Sequence, residues 1–287
     1  MHRLARALPV LFLAACAARP GADLAPDAML AEYRWERPAQ QWSLPAGLEE
    51  ASGLVHLTPG RLLTHDDNVS TLWRLEYGDG VTAAPLAHQP PRIDGDFEAV
   101  TVAHGRVLLL ASPGLLYHAA GDPAAGGVAG PWRKCPTGIE RRCNFEGLAV
   151  TGSRRALVAA CKYPRHPVAG AITLYELPAP ETRARPLIVD VTPVTAALSL
   201  ARLRPSALAW APARERLLVL AGKERVILEV SAHGDLVAWR RLPWGFHRQA
   251  EGLALAPDGA LLIADEADGH VATLSRYPPQ RAQGGSQ

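Results

Sequence analysis

Glu251-Gly252-Leu253-Ala254-Leu255-Ala256-Pro257-Asp258-Gly259-Ala260-Leu261-Leu262-Ile263-Ala264-Asp265 decides the fold: an aliphatic alternation, a Pro-Asp-Gly turn and a second aliphatic run. Asp-Gly between two such runs is a strong hairpin signal, and it predicts strands over 251–256 and 260–265. After a second turn at Asp268-Gly269, His270 to Leu274 predicts a third strand. The opening of this stretch recurs upstream as Ser52-Gly53-Leu54-Val55, Glu98-Ala99-Val100-Thr101, Glu146-Gly147-Leu148-Ala149 and Ser206-Ala207-Leu208-Ala209. Start to start, the five copies stand 46, 48, 60 and 45 residues apart, close to a propeller-blade period. A meander of this length cannot bury both of its faces alone, whereas a closed ring of such units buries them against one another. The expected fold is therefore all-β, a five-bladed β-propeller over residues 45–278, with 279–287 a disordered tail. Asp190 to Arg202 offers room for one short helix.

The N-terminus predicts export. A basic start, Met1 to Arg6, leads into an apolar run from Ala7 to Ala15 that is too short to span a bilayer as a mature helix. It ends in Leu13-Ala14-Ala15-Cys16, which resembles the bacterial lipobox. The resemblance implies a signal peptide over 1–15, lipidation at Cys16 and a linker over 16–44, with the membrane as a partner through that anchor. Ala17 after the cysteine favours the outer membrane, facing the periplasm or the cell surface. Export places Cys135, Cys143 and Cys161 in an oxidising compartment. Three thiols allow one pair; Cys135–Cys143 closes the shorter loop and is favoured, with Cys143–Cys161 the rival. A net charge of +2 carries no basic excess of the nucleic-acid-binding kind, so no nucleic-acid partner is expected.

The anchors Ser52-Gly53-Leu54, Asp96-Phe97-Glu98-Ala99-Val100, Asn144-Phe145-Glu146-Gly147-Leu148 with Ala160-Cys161-Lys162, Pro205-Ser206-Ala207-Leu208 and Ala250-Glu251-Gly252-Leu253-Ala254 resemble the SdiA-regulated family of bacterial propellers, distant relatives of NHL-repeat proteins. The resemblance runs from about Leu48 to Tyr277 and implies five blades and a calcium site. The chain departs from the pattern at Ala99 and Ala207, where glycine is usual. It departs again at Ala221-Gly222, where a polar pair such as Ser-Asp is expected, and at Cys161, where an acid is common.

Equivalent positions on five blades form a ring, so Glu98, Glu146 and Glu251 are expected to converge on the axis, with Ser52 and Ser206 completing the circle. Clustered carboxylates repel and are costly to bury. Calcium, which takes 6–8 oxygen ligands in loose geometry, would relieve them. Asp66 and Glu266, with Asp67 and Asp265, end second strands and would add ligands from the same end. The alternative is that the glutamates accept backbone N–H bonds or pair with Arg92, Arg141, Arg142, Arg204 or Arg248. Three function classes follow, one of them a scaffold in envelope maintenance in which any calcium is purely structural. The first is a binding or interaction module with a protein or small-molecule partner, with or without Ca2+ on the axis. The second is a calcium-dependent hydrolase of lactonase or esterase type, in which His65 or His247 joins a metal-activated water. His166 is a further loop histidine near the expected mouth. No Gly-x-Ser-x-Gly or HExxH motif supports the second class. Trp239 and Trp244 cluster with Phe246, His247 and Arg248. Pro243-Trp244-Gly245 reads as a loop, and an exposed Trp beside Arg would make a binding spot.

Overall fold

A computed structural model describes residues 21–67, 71–92, 96–125, 127–152, 156–177 and 184–280. The signal peptide, Cys16 and residues 281–287 of the expected tail lie outside the described residues. Two short strands come first, β1 (Gly21–Asp23) and β2 (Gln40–Ser43). Blade 1 holds β3 (Ala51–Thr58), β4 (Arg61–Asp66), β5 (Thr71–Tyr77) and β6 (Val81–Pro85). Blade 2 holds β7 (Phe97–Ala103), β8 (Arg106–Ala111), β9 (Leu115–Asp122) and β10 (Gly127–Pro136). Blade 3 holds β11 (Cys143–Thr151), β12 (Ala156–Pro164), β13 (Ala171–Leu177) and β14 (Arg185–Asp190). Blade 4 holds β15 (Ala207–Ala211), β16 (Arg216–Ala221), β17 (Val226–Ser231) and β18 (Leu236–Arg241). Blade 5 holds β19 (Ala250–Leu255), β20 (Leu261–Asp265) and β21 (Thr273–Tyr277).

Each blade is an antiparallel meander whose first strand is innermost. The inner strands β3, β7, β11, β15 and β19 touch in sequence, and β19 touches β3, so the ring closes. Five apolar layers hold it, each between neighbouring blades: Leu220 and Ile263 share one, Val158 and Val219 another, Leu62 and Leu262 a third. Leu110 and Phe145 share the fourth, Leu63 and Leu109 the fifth. The alternation in the repeat supplies both faces of each sheet, and the meander has no stable state without its neighbours. The long 60-residue interval is explained by α1 (Thr192–Leu198), which lies in the connection from blade 3 to blade 4.

Three expectations need correction. The linker expected over 16–44 is, from Gly21 onward, part of the propeller. β1 adds to the outer edge of blade 4 by pairing with β18, and β2 supplies the missing fourth strand of blade 5 by pairing with β21. The physical reason is edge closure: blade 5 has only three strands of its own, and β2 covers the open edge of β21. The chain between them docks as well, with Leu30 N donating to the fully buried Glu229 (3.0 Å) and Trp35 stacking on Tyr277 at 5.3 Å. Pro279 bridges to Tyr33, and Gln280 N donates to Glu32 O at 2.6 Å, so the described start of the tail is also paired.

The third strand of blade 5 runs over Thr273–Tyr277 instead of 270–274, because Tyr277 pairs with Leu261 and belongs in the core. The disulfide joins Cys143 to Cys161, with Cα atoms 5.7 Å apart, and Cys135 is free. Cys143 and Cys161 lie on the two paired strands of one hairpin of blade 3, whereas Cys135 sits on the outer strand of blade 2 opposite Leu116. Blade boundaries decided the pairing, and loop length did not.

Candidate functional site: an acidic cup on the axis

The repeat delivers its leading residues to one place through a shared device. In blades 2, 3 and 5 the register with the second strand skips a residue, and the skipped residues are Glu98, Glu146 and Glu251. A bulged residue leaves the ladder and its side chain is re-aimed. In blade 1 the shift falls between Ser52 and Leu54, which puts the bulge on Gly53 (φ 62°). In blade 4 the leading residue Ser206 is tied down: its hydroxyl donates to Ala250 O (2.8 Å) and accepts from Gly222 N (3.1 Å). A Cβ on Gly222 would stand 1.9 Å from Ala250 O, so the blades meet there as backbone on backbone, and the expected polar pair has no room.

Glu146 and Glu251 both meet one cation, Lys162, whose Nζ lies 3.0 Å from Glu146 Oε2 and 3.8 Å from Glu251 Oε1. Burial alone would push the Lys162 ammonium down, but Glu251, Glu146 and Glu98 together hold it above its ordinary value. Glu98 hydrogen-bonds Glu146. Burial, reinforced by the Glu146 charge, raises Glu98 well above the usual carboxylate range, so the pair favours sharing a proton. Burial raises Glu251 to about 7, with Lys162 opposing and Glu146 adding to the shift. Glu251 Oε2 is buried without a hydrogen-bond partner.

Beside this group a second acidic trio assembles. Glu50, Asp67 and Glu266 each offer an oxygen within 4.8 Å of the other two. Burial and the charges of Glu251, Asp67 and Glu50 raise Glu266 to about 9, and Gln249 Nε2 donates to its Oε2. Oxygens bound to one calcium at about 2.3–2.6 Å can lie at most about 5 Å apart, so the trio fits a shared hard divalent cation both in spacing and in donor type.

Leu54, Val100, Leu148, Leu208 and Leu253 line, with Glu146, a void of about 10 Å³, room for no more than about one water. They give the acidic group an apolar floor, and the group forms a cup at the end where the inner strands begin.

Of the residues singled out in the sequence, Glu98, Glu146 and Glu251 gather around Lys162, and Glu266 belongs to the neighbouring trio. Asp66, also expected as a ligand, is buried opposite Ala51 and is not one of the three converging oxygens. Asp265 accepts from or shares a proton with His247 Nδ1 at 2.7 Å, while His247 Nε2 contacts Tyr277 OH at 2.7 Å. That histidine is fully buried and serves the blade 5 core. His65 is buried with neither ring nitrogen hydrogen-bonded, and burial pushes it down to about 3. His166 is exposed. The arginines considered as partners do not take that role: Arg204 pairs with Glu224 at 2.6 Å, and Arg248 contacts His270. Lys162 and Glu50 were missed. The signal for Lys162 was its place in the repeat, since it follows Cys161 as Asp67 follows Asp66 and Glu266 follows Asp265. Glu50 directly precedes the first anchor.

Among solved structures, the glutaminyl cyclase of Myxococcus xanthus superposes with a TM-score of 0.55 at 16% identity, covering 84% of this chain and 94% of its own. The PQQ-bound aldose sugar dehydrogenase of Streptomyces coelicolor gives a TM-score of 0.54 at 12% identity, covering 84% of this chain and 99% of its own. At such identities these likenesses concern the fold alone. No curated protein matches the chain in sequence. The profile of the SdiA-regulated family matches residues 194–281, the stretch from α1 through blades 4 and 5. The chain is thus a five-bladed β-propeller whose residues 194–281 match the model of the SdiA-regulated family.

Proposed function

We propose that the protein is an exported, lipid-anchored binding propeller whose axial cup takes up a divalent cation of the calcium type. The observation that carries this reading is the convergence of Glu50, Asp67 and Glu266 within 4.8 Å, next to carboxylates already neutralised by Lys162. Glu50, Asp67 and Glu266 would hold the ion, which would supply positive charge beside carboxyl groups that burial raises above their ordinary value. Binding is favoured over hydrolysis because neither His65 nor His247 is available as a base at the mouth: one is enclosed, and the other is held by Asp265 and Tyr277.

The sign of the pH dependence follows from the raised carboxyl groups. Their folded values of about 7 for Glu251 and about 9 for Glu266 and Glu98 exceed the ordinary 4.5. Their contribution to stability is therefore full below the unfolded value and is lost as pH rises through 7 to 9. Calcium replaces those protons, so millimolar calcium should raise the melting temperature at pH 8.5 and do little at pH 5. At a hundredfold excess over Kd the gain is about 2.7 kcal/mol. Asp67→Asn with Glu266→Gln should abolish the response. A melting curve at pH 8.5 that ignores both calcium and EDTA would exclude the metal. For the anchor, Cys16→Ser should move the protein from the membrane fraction to the soluble fraction; unchanged partition would refute lipidation at that residue.

A further inference from the structure

The end of the propeller that carries the cup also carries a cluster of cations in blades 4 and 5. The loop 222–225 joins β16 to β17, and the loop 242–249 joins β18 to β19. Both lie at the end where inner strands begin, because successive strands alternate in direction. Trp244 stands out from the second loop with 60% of its surface exposed. Two guanidinium groups approach its ring: Arg225 Cζ lies 4.1 Å from the ring centroid and Arg248 Cζ lies 6.0 Å from it. Arg241 faces Val226 across the β17–β18 ladder and adds a third cation, close enough to repel Arg225.

Among the described residues no carboxylate forms an ion pair with Arg225, Arg241 or Arg248. The acid within the first loop, Glu224, is committed to Arg204 through three contacts of 2.9, 2.7 and 2.6 Å. Arg225 Nε is buried with no hydrogen-bond partner, and burial followed by repulsion from Arg241 lowers the Arg225 value. The backbone holds this arrangement in place. Arg225 adopts φ 54°, a left-handed conformation unfavourable for a long side chain, pinned because its N–H donates to Gly222 O (2.9 Å) and its carbonyl accepts from Leu242 N (2.8 Å). Phe246 N and His247 N both donate to Pro243 O at 3.1 Å and close the turn that presents the indole. A guanidinium stacked on an aromatic face keeps its in-plane N–H donors free, and their fork matches the oxygens of an oxyanion.

We infer that Arg225, Arg241 and Arg248 around Trp244 form a phosphoryl-binding site on the cup-bearing end of the propeller. Three positive groups suit a dianion with several acceptor oxygens, and the exposed indole offers an apolar wall to whatever carbon skeleton carries it. The same chemistry is available from a soluble phosphate ester or from a lipid headgroup. This site is independent of the cation proposed for the cup.

The test uses the full mature chain carrying Cys16→Ser, so that no acyl chain directs it to vesicles. One arm titrates inorganic phosphate and glycerol phosphate, followed by indole fluorescence and calorimetry. The other measures co-sedimentation with phosphatidylcholine vesicles made with and without phosphatidic acid. Saturable binding of the soluble esters, or sedimentation only with the phosphatidic acid vesicles, is expected, and which arm responds identifies the source. Arg225→Gln with Arg248→Gln should weaken that binding at least about tenfold, since a hydrogen bond to a charged group contributes on the order of a factor of ten or more. The exposed Arg248→Glu alone, which leaves the backbone at Arg225 untouched, should do the same. Absence of a response in both arms, or a response that Arg248→Glu leaves unchanged, overturns the site.

Discussion

Lys162→Met is expected to lower the stability of the folded protein by about 3 kcal/mol at pH 8, as read by urea denaturation; breaking a buried ion pair from one side typically costs about 3–5 kcal/mol. The reason lies in what remains. Glu146 and Glu251 are each only 6% exposed, and Lys162 is the cation both of them meet. Remove it and two carboxylates face one another in a cup with an apolar floor. They escape by taking up protons, so the penalty should shrink as pH falls toward 5, and the variant's stability should rise over a range where a neutral site would be flat. Restoring part of the loss with Lys162→Met combined with Glu146→Gln would separate charge from packing, because the double variant removes the stranded carboxylate. If Lys162→Met unfolds at the same urea concentration as the parent at pH 8, the ammonium does not hold the cup together. Calcium offers a second check. Without Lys162 the cup carries one more uncompensated negative charge, so calcium stabilisation should increase.

Loss of the Cys143–Cys161 bridge is expected to cost a similar amount. The two residues are 18 apart in sequence, and closing a loop of about 15 residues contributes about 3 kcal/mol on the chain-entropy account. Cys143→Ala with Cys161→Ala, or reduction of the parent protein, should shift the urea midpoint accordingly. The bridge also has a local role. Cys161 pairs with Phe145 across the hairpin that bulges at Glu146, and Lys162 follows it directly. Reduction should therefore loosen the very hairpin that positions the ion pair. Peptide mapping without reductant should return a 143–161 linked fragment and a reactive Cys135. A linked 135–143 fragment would contradict the structure.

Much of this was legible from residues alone. The Asp-Gly hairpin at 258–259 and the recurrence of the anchor before it at blade spacing predict five antiparallel meanders, because the aliphatic alternation demands that both sheet faces be covered. The same register argument places Glu98, Glu146 and Glu251 at one level on the axis, since residues at one position of a repeat occupy one position of a ring. The departures from the family pattern also have local causes. Gly222 stands where the blades touch, and Cys161 is half of a disulfide.

What the sequence determined is therefore periodic: blade number, strand direction, and which residues lead each inner strand. What the tertiary structure decided is everything that depends on contact between units far apart in the chain. β2 reaches across the molecule to complete blade 5, a pairing of Gln40 with Arg276 that no local pattern encodes. Lys162 of blade 3 joins Glu251 of blade 5, and Glu50 and Asp67 of blade 1 join Glu266 of blade 5. Local hydrogen bonding and alternation are written in neighbouring residues, so a reader of sequence can follow them. Electrostatic partners are chosen by closure of the ring, which brings Glu50 and Glu266 together across 216 positions of sequence.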